Sequence, residues 1–259
     1  MELWWLCAAA LAAGVINSVA GGGTLLTFPA LALALGENAE AAVVANATST
    51  TALFPGSLAS VWGYRREFRG TAHWIRWLLG PSIFGGLLGS WLVVVLPARL
   101  FQLLVPWLIL TATLLFLSQP WIARRTGIGQ HHDRPSPATV WGLVAFQFCV
   151  GVYGGYFGAG IGILMLSALA LMGVDNIHTM NALKSLLGAV MNGLSVFVFV
   201  WQQKIHWPYA LPMLVASTIG GWLGASVARR LDGRLIRQTV VAIGLSLSAY
   251  YFLRIYDPV

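Results

Sequence analysis

The residues best placed to do chemistry lie on one stretch, Ile177 to Trp201, which is largely apolar yet contains Lys184. Around that lysine Asn181, Ser185, Gly188, Asn192 and Ser195 recur at steps of three and four, which is one face of a helix. Leu183, Leu187, Val190, Leu194 and Phe197 fill the other face. About 20 residues at about 1.5 Å each cross a hydrocarbon layer about 30 Å thick, so the stretch can span a bilayer. Counted from a cap at Asp175 or Asn176, Lys184 falls about 13 Å along it, near mid-depth. All eight acidic residues, Glu2, Glu37, Glu40, Glu67, Asp133, Asp175, Asp232 and Asp257, fall at apparent segment ends or in loops. No carboxylate of an apolar segment therefore shares that depth, and a cation placed there is suited to holding an anion. The plainer alternative is that Lys184 snorkels to the headgroups while the small residues only pack helices. Against it stands the polar stripe, which continues well past the lysine and needs protein or a water-filled cavity to face.

Composition sets the class. Of 259 residues 58% are hydrophobic and 9% charged, against about 25% charged in a soluble domain. The net charge of +7 would raise nucleic-acid binding in a soluble chain. Here the arginines sit in short connections between apolar runs, as topology signals do, so nucleic acid is not an expected partner. Cys7 and Cys149 both lie in apolar runs and suggest neither a disulfide framework nor a zinc site. The first apolar run lacks a basic n-region and its pattern recurs later, so it is expected to stay in the mature protein.

The elements that must position the lysine stripe come in two matching sets. Leu3 to Val19 reads as a helix broken at Gly21-Gly22-Gly23, followed by a short helix from Thr24 to Leu35. Helices from about Glu40 to Trp62, Trp74 to Leu96 and Leu100 to Leu117 follow. Val140 to Tyr156 then breaks at Gly158-Ala159-Gly160-Ile161-Gly162, a short segment runs to Met172, and the lysine helix comes next. Such glycine runs each cost about 1 kcal/mol per residue against alanine in a helix, so something must require bare backbone there. Gly220-Gly221-Trp222-Leu223-Gly224 echoes Gly85-Gly86-Leu87-Leu88-Gly89 at an offset of 135 residues. At that offset Asn181, Ser185, Asn192 and Ser195 fall on Asn46, Thr50, Ser57 and Ser60, and Lys184 falls on Ser49. The expected division is a first transmembrane repeat over 1–117, a cytoplasmic linker over 118–138 and a second repeat over 139–259.

Arginine and lysine alternate between rich and poor connections: three at Arg65 to Arg69, one at Arg99, three at Arg124 to Arg134, one at Lys204, four at Arg229 to Arg237 and one at Arg254. With the rich side cytoplasmic, the loop after Trp62 is inside and its equivalent after Trp201 outside, so the halves are inverted. Each half then crosses an odd number of times. Five crossings result if both broken pieces cross, three if each glycine-broken pair dips in and returns. The expected fold is thus all-α, a polytopic transmembrane bundle of two inverted repeats with glycine-broken helices and about eight to ten membrane segments.

The paired glycine breaks, each followed by a short helix and an asparagine-bearing helix, together with the paired Gly-Gly-x-x-Gly segments, resemble the TauE/SafE family of sulfite and organosulfonate exporters over nearly the whole chain, Leu11 to Tyr251. The resemblance implies a bacterial cytoplasmic (inner) membrane permease that moves sulfur-containing or other small organic anions, usually outward. The residues agree on the sign of the substrate. Half-helices opening at Thr24 and Ile161 present backbone N–H groups, and glycine lets an oxyanion approach them. The expected binding set is Lys184, Asn181, Ser185, Asn192, Asn46, Ser49, Thr50, Gly21, Gly22, Gly23, Thr24, Gly158, Gly160 and Gly162, with no catalytic residue, metal or cofactor. The expected partners are a small anion and the lipid bilayer, and a homodimer is an assembly the reading allows. A channel for anions or water would use the same fold logic. A membrane enzyme is the rival of another class, resting on His131-His132-Asp133, but adjacent histidines on a polar linker are ordinarily solvated, and His73, His178 and His206 lack ligand spacing.

Overall fold

The computed structural model describes residues 2–19, 21–36, 38–126, 137–174, 176–227 and 233–256. Among them are ten helices and no strand: α1 (Glu2–Val19), α2 (Thr24–Leu35), α3 (Ala39–Gly63), α4 (Ala72–Val95), α5 (Ala98–Thr126), α6 (Pro137–Tyr156), α7 (Ile161–Leu171), α8 (Ile177–Trp201), α9 (Trp207–Val227) and α10 (Gly233–Tyr256), with a 3-10 turn at Arg65–Phe68 between α3 and α4. Helix α5 runs on past Ser118 to Thr126. His131, His132, Asp133 and Arg134 lie outside the described residues.

Each boundary has a local cause. The Asn38 side chain accepts from Ala41 N–H at 2.8 Å to start α3, and Asn176 accepts from His178 N–H at 2.8 Å to start α8. The breaks after α1 and α6 are built alike. Gly21 and Gly158 sit at φ +76° and +80°, and their N–H groups reach back five residues, to Ile16 O at 3.1 Å and Tyr153 O at 3.1 Å. Left-handed backbone of this kind suits glycine, which explains two of the bare positions.

Helix directions follow from contacts between named residues. Glu2 accepts from Tyr209 O–H at 2.7 Å, Glu40 pairs with Lys204 at 3.1 Å, and Thr48 Oγ1 accepts from His206 N–H at 3.0 Å. The starts of α1, α3 and α9 and the end of α8 therefore gather at one end of the bundle, so α3 and α8 run antiparallel. Helix α2 returns to that same end, because only three residues join it to α3. Of the two crossing schemes, α1 and α2 thus take the one in which the broken pair dips in and comes back. At the opposite end the Arg65–Phe68 turn packs on α8, and Trp141 at the start of α6 meets Trp77 at the start of α4, ring centres 5.4 Å apart. Helix α7 ends beside the start of α8, so α6 and α7 dip in from that end.

Small residues let the dipping helices pack closely. Gly220 and Gly224 on α9 lie against Leu11 and Val15 of α1, while Gly85 and Gly89 on α4 lie against Phe148 and Val152 of α6. A side chain at any of these four glycines would run into backbone, the small-residue interface expected where lipid gives helices no hydrophobic reason to associate. Outside, the surface is apolar: Trp4, Trp62, Trp121, Trp141 and Trp201 are all exposed, each near a helix end. That is the aromatic belt of a protein in lipid. Among the described residues three helices, Ala72–Val95, Ala98–Ser118 and Ile177–Trp201, are long and apolar enough to cross a membrane.

Candidate functional site

The two glycine breaks meet inside the bundle. A Cβ at Gly21 would stand 2.7 Å from Gly162 Cα, so the backbones touch where α1 gives way to α2 and α6 to α7. Neither α2 nor α7 has a side chain capping its first turn. The positive ends of two half-helices therefore face a shared interior.

Beside that meeting point lies a cavity bordered by Asn17, Gly21, Thr24, Ser57, Ser60, Gly158, Ile161, Gly162, Met165, Lys184, Ser185, Gly188 and Asn192. Its volume, as room for the centres of water-sized molecules, is about 40 Å³; one water needs about 10–15 Å³ on that measure. None of the described residues bordering it is acidic. Lys184 is 4% exposed, and its Nζ donates to Ser18 O at 3.2 Å. The ammonium thus sits at the negative, carbonyl end of α1 while bordering the positive ends of α2 and α7. Ser185 Oγ is buried with no hydrogen-bond partner in the structure.

Of the residues expected to bind substrate, the structure brings Lys184, Ser185, Asn192, Gly21, Thr24, Gly158 and Gly162 to this cavity. Five of the others, Asn46, Ser49, Gly22, Gly23 and Gly160, make contacts elsewhere in the bundle. Asn46 donates to Tyr156 O at 3.1 Å and so holds the last carbonyl of α6, much as Lys184 holds one of α1. Ser49 shares a 2.6 Å hydrogen bond with Thr27 that ties α3 to α2. Gly22 makes room for the Phe116 ring, Gly23 lies against Ala13 O, and Gly160, at φ +77°, caps α7 against Ala112. Thr50 and Asn181 are half-buried, and Asn181 Oδ1 is buried without a hydrogen-bond partner among the described residues. Asn17, Ser57, Ser60, Ile161, Met165 and Gly188 also border the cavity and were not in the expected binding set, although Gly188, Ser57 and Ser60 lie on the paired polar stripes and Ile161 opens α7. Asn17 could have been found as one of two polar residues in an apolar run just before the glycines, whereas nothing in a methionine marks Met165. Among the described residues no three His, Cys, Asp or Glu side chains come together as a metal site.

A lipid-facing helical bundle with broken helices meeting at an interior polar cavity belongs to the class of multi-pass membrane transporters. The sequence profile described as "Sulfite exporter TauE/SafE" matches residues 6–251, and the chain belongs to that family. It is similar to "Probable membrane transporter protein YfcA" of Escherichia coli (strain K12), 27% identical over 241 residues, covering 93% of this chain and 86% of the relative. A "Probable membrane transporter protein" of Haemophilus influenzae is 29% identical over 245 residues, covering 92% and 89%. No solved structure matches the chain.

Proposed function

We propose that the protein carries small oxyanions, sulfite or compact sulfonates, out of the cell across the bacterial cytoplasmic membrane, by alternating access about the Lys184 cavity. The observation that carries this reading is the make-up of the lining. A near-buried lysine and the uncapped starts of α2 and α7 border one small cavity with serine, threonine and asparagine side chains, and none of the described residues bordering it is acidic. Donors converging without acceptors of full charge favour an anion, since a cation site calls for carboxylates or carbonyls. Size narrows the choice, because room for about three waters suits an anion of a few heavy atoms. Reciprocal packing of α1 on α9 and α6 on α4 supports an inverted-repeat design, in which one half moves against the other.

Flux of radiolabelled sulfite from proteoliposomes tests the reading. Lys184→Ala should abolish it, and Lys184→Arg should retain a fraction, because a planar guanidinium replaces a compact ammonium. Lys184→Gln separates charge from capping: its amide can still donate to Ser18 O, so the protein should fold normally yet lose most transport. Wild-type flux in well-inserted Lys184→Gln protein would reduce the lysine to a helix cap.

A further inference from the structure

A second cavity lies at the end of the bundle where α2 stops, α3 and α5 begin and α10 stops; its volume on the same measure is about 220 Å³. Arg99 and Arg254, both exposed, stand at its edge, and its walls are mixed, with Phe28, Ala32, Leu103 and Ile255 on the apolar side and Gln102 among the polar groups. Arg254 donates to the Tyr250 hydroxyl, and its guanidinium carbon lies 5.7 Å from the centre of that ring. Tyr251 also borders the cavity, with its hydroxyl buried and unpartnered in the structure. Two guanidinium groups beside a wall that is apolar at Phe28, Ala32, Leu103 and Ile255 fit an amphipathic oxyanion, a sulfonate or carboxylate bearing a short alkyl tail.

The two cavities share one helix. Thr24 borders the Lys184 cavity, while Phe28 and Ala32, one and two turns further along α2, border the second. Residues four apart lie on one helix face, so that face of α2 leads from one cavity to the other. Between them the Phe28 ring is fully buried, edge-on to Phe157 at 5.3 Å and to Phe101 at 6.2 Å. At the matching place on α7, four residues after Ile161, stands Met165, which borders the Lys184 cavity itself. The two half-helices thus differ: α7 is open to the cavity for one more turn, whereas α2 is closed there by an aromatic cluster.

Building on the anion-transport reading, we propose that the Arg99–Arg254 cavity is a second anion site, a vestibule on the arginine-poor side of the membrane, and that the Phe28 ring is the barrier between it and Lys184. An anion leaving the lysine would pass along the α2 face when that ring moves, and the arginines would hold it before release. The wider vestibule also accepts longer tails than the inner cavity admits. A lipid headgroup offers the same oxyanion and tail, so the test must separate the two sources.

Hexanesulfonate is the probe, since its tail exceeds the Lys184 cavity, and its binding to purified protein in phosphatidylcholine nanodiscs is read by titration calorimetry. Wild type and Lys184→Ala should bind it alike, and Arg99→Gln/Arg254→Gln should bind at least tenfold more weakly. Undiminished binding in the double variant overturns the site. Phosphatidylglycerol retained through purification by wild type but not by the double variant, and not displaced by hexanesulfonate, overturns it too, in favour of a lipid site. Failure of the transport reading would show separately, as unchanged sulfite flux in Lys184→Ala with hexanesulfonate binding intact. For the barrier, Thr24→Cys on a background lacking Cys7 and Cys149 is exposed to a membrane-impermeant thiosulfonate from the arginine-poor side. Adding Phe28→Ala should speed the reaction at least tenfold, and Phe28→Leu, which better preserves packing, several-fold. A rate indifferent to residue 28 in both variants removes the barrier.

Discussion

Asn192 on α8 donates through Nδ2 to Ser57 Oγ on α3 at 3.4 Å, and the two residues stand 135 apart, the offset at which the halves of the sequence superpose. Equivalent positions of two repeats touch each other only where the axis relating them passes. Close by, the Phe54 ring fills the space beside Gly193, and both Asn192 and Ser57 border the Lys184 cavity. The cavity therefore lies where a two-fold relation between the halves would put it, and the single lysine is what gives it an asymmetric charge.

Asn192→Asp tests the sign of that cavity with almost no change of shape. A negative charge about 8 Å from a bound anion, at an effective dielectric constant of about 20, raises the anion's energy by about 2 kcal/mol. Sulfite flux in proteoliposomes should fall at least tenfold, while the yield of folded protein stays near wild type. Unchanged flux would mean that the anion does not pass Asn192.

Topology is tested by labelling single cysteines in whole cells, again without Cys7 and Cys149. A cysteine at Lys204 or Arg99 should react with an impermeant reagent from outside, and one at Arg66 or Arg125 should not. The antiparallel course of α3 and α8, fixed by Thr48 against His206, requires Arg66 and Lys204 to lie on opposite sides. Labelling of both from one side would contradict it.

How much of this was legible in the sequence varied with the kind of signal. Helix ends marked by a capping asparagine or a glycine run were read closely, as at Thr24–Leu35 and Ile177–Trp201, because caps and breaks are local chemistry. The sequence points to an end of α5 at Leu117, since Ser118 and the residues beyond it look like loop; in the structure Ser118 stays helical, its hydroxyl donating to Leu114 O at 2.7 Å. Lys184, Ser185 and Asn192 stood out because polar residues on one face of a membrane helix need an explanation. Asn46 stood out for the same reason yet holds the end of α6, because spacing alone does not tell a polar group serving a broken backbone from one facing a cavity. Met165 carries no polar signal and becomes visible only through the packing of α7.

Two glycine substitutions should separate backbone demand from open space. Gly21→Ala forces a left-handed residue, at about 1–2 kcal/mol, and sets its methyl group 2.7 Å from Gly162 Cα, so the melting temperature in detergent should drop clearly. Gly188 borders the cavity and has nothing within 4 Å of a Cβ placed there. Gly188→Ala should keep or raise the melting temperature, since alanine favours a helix by about 1 kcal/mol. Its methyl group should nonetheless narrow a cavity of about 40 Å³ and lower flux, more for a sulfonate bearing carbon than for sulfite.

The energy source is the last matter open to test. A cell interior is negative, and moving one charge through 100 mV is worth about 2.3 kcal/mol, so a monoanion leaving the cytoplasm gains a factor of roughly 50 at equilibrium. Export on that basis needs no coupling ion. Uptake against the same term commonly relies on intramembrane Asp, Glu or His, or on an unwound carbonyl site for sodium. Here Glu2 and Glu40 are engaged at one end of the bundle, by Tyr209 and Lys204, and Glu67 lies in the turn at the other. The expectation is electrogenic efflux driven by the potential. Proteoliposomes loaded with sulfite and given a potassium-diffusion potential, negative inside, should release it faster than vesicles without one, with no proton or sodium gradient imposed. Efflux that ignores the potential and follows a pH gradient would replace this mechanism with a proton-coupled one, and Glu67, whose Oε2 is buried without a hydrogen-bond partner in the structure, would be the first carboxylate to substitute.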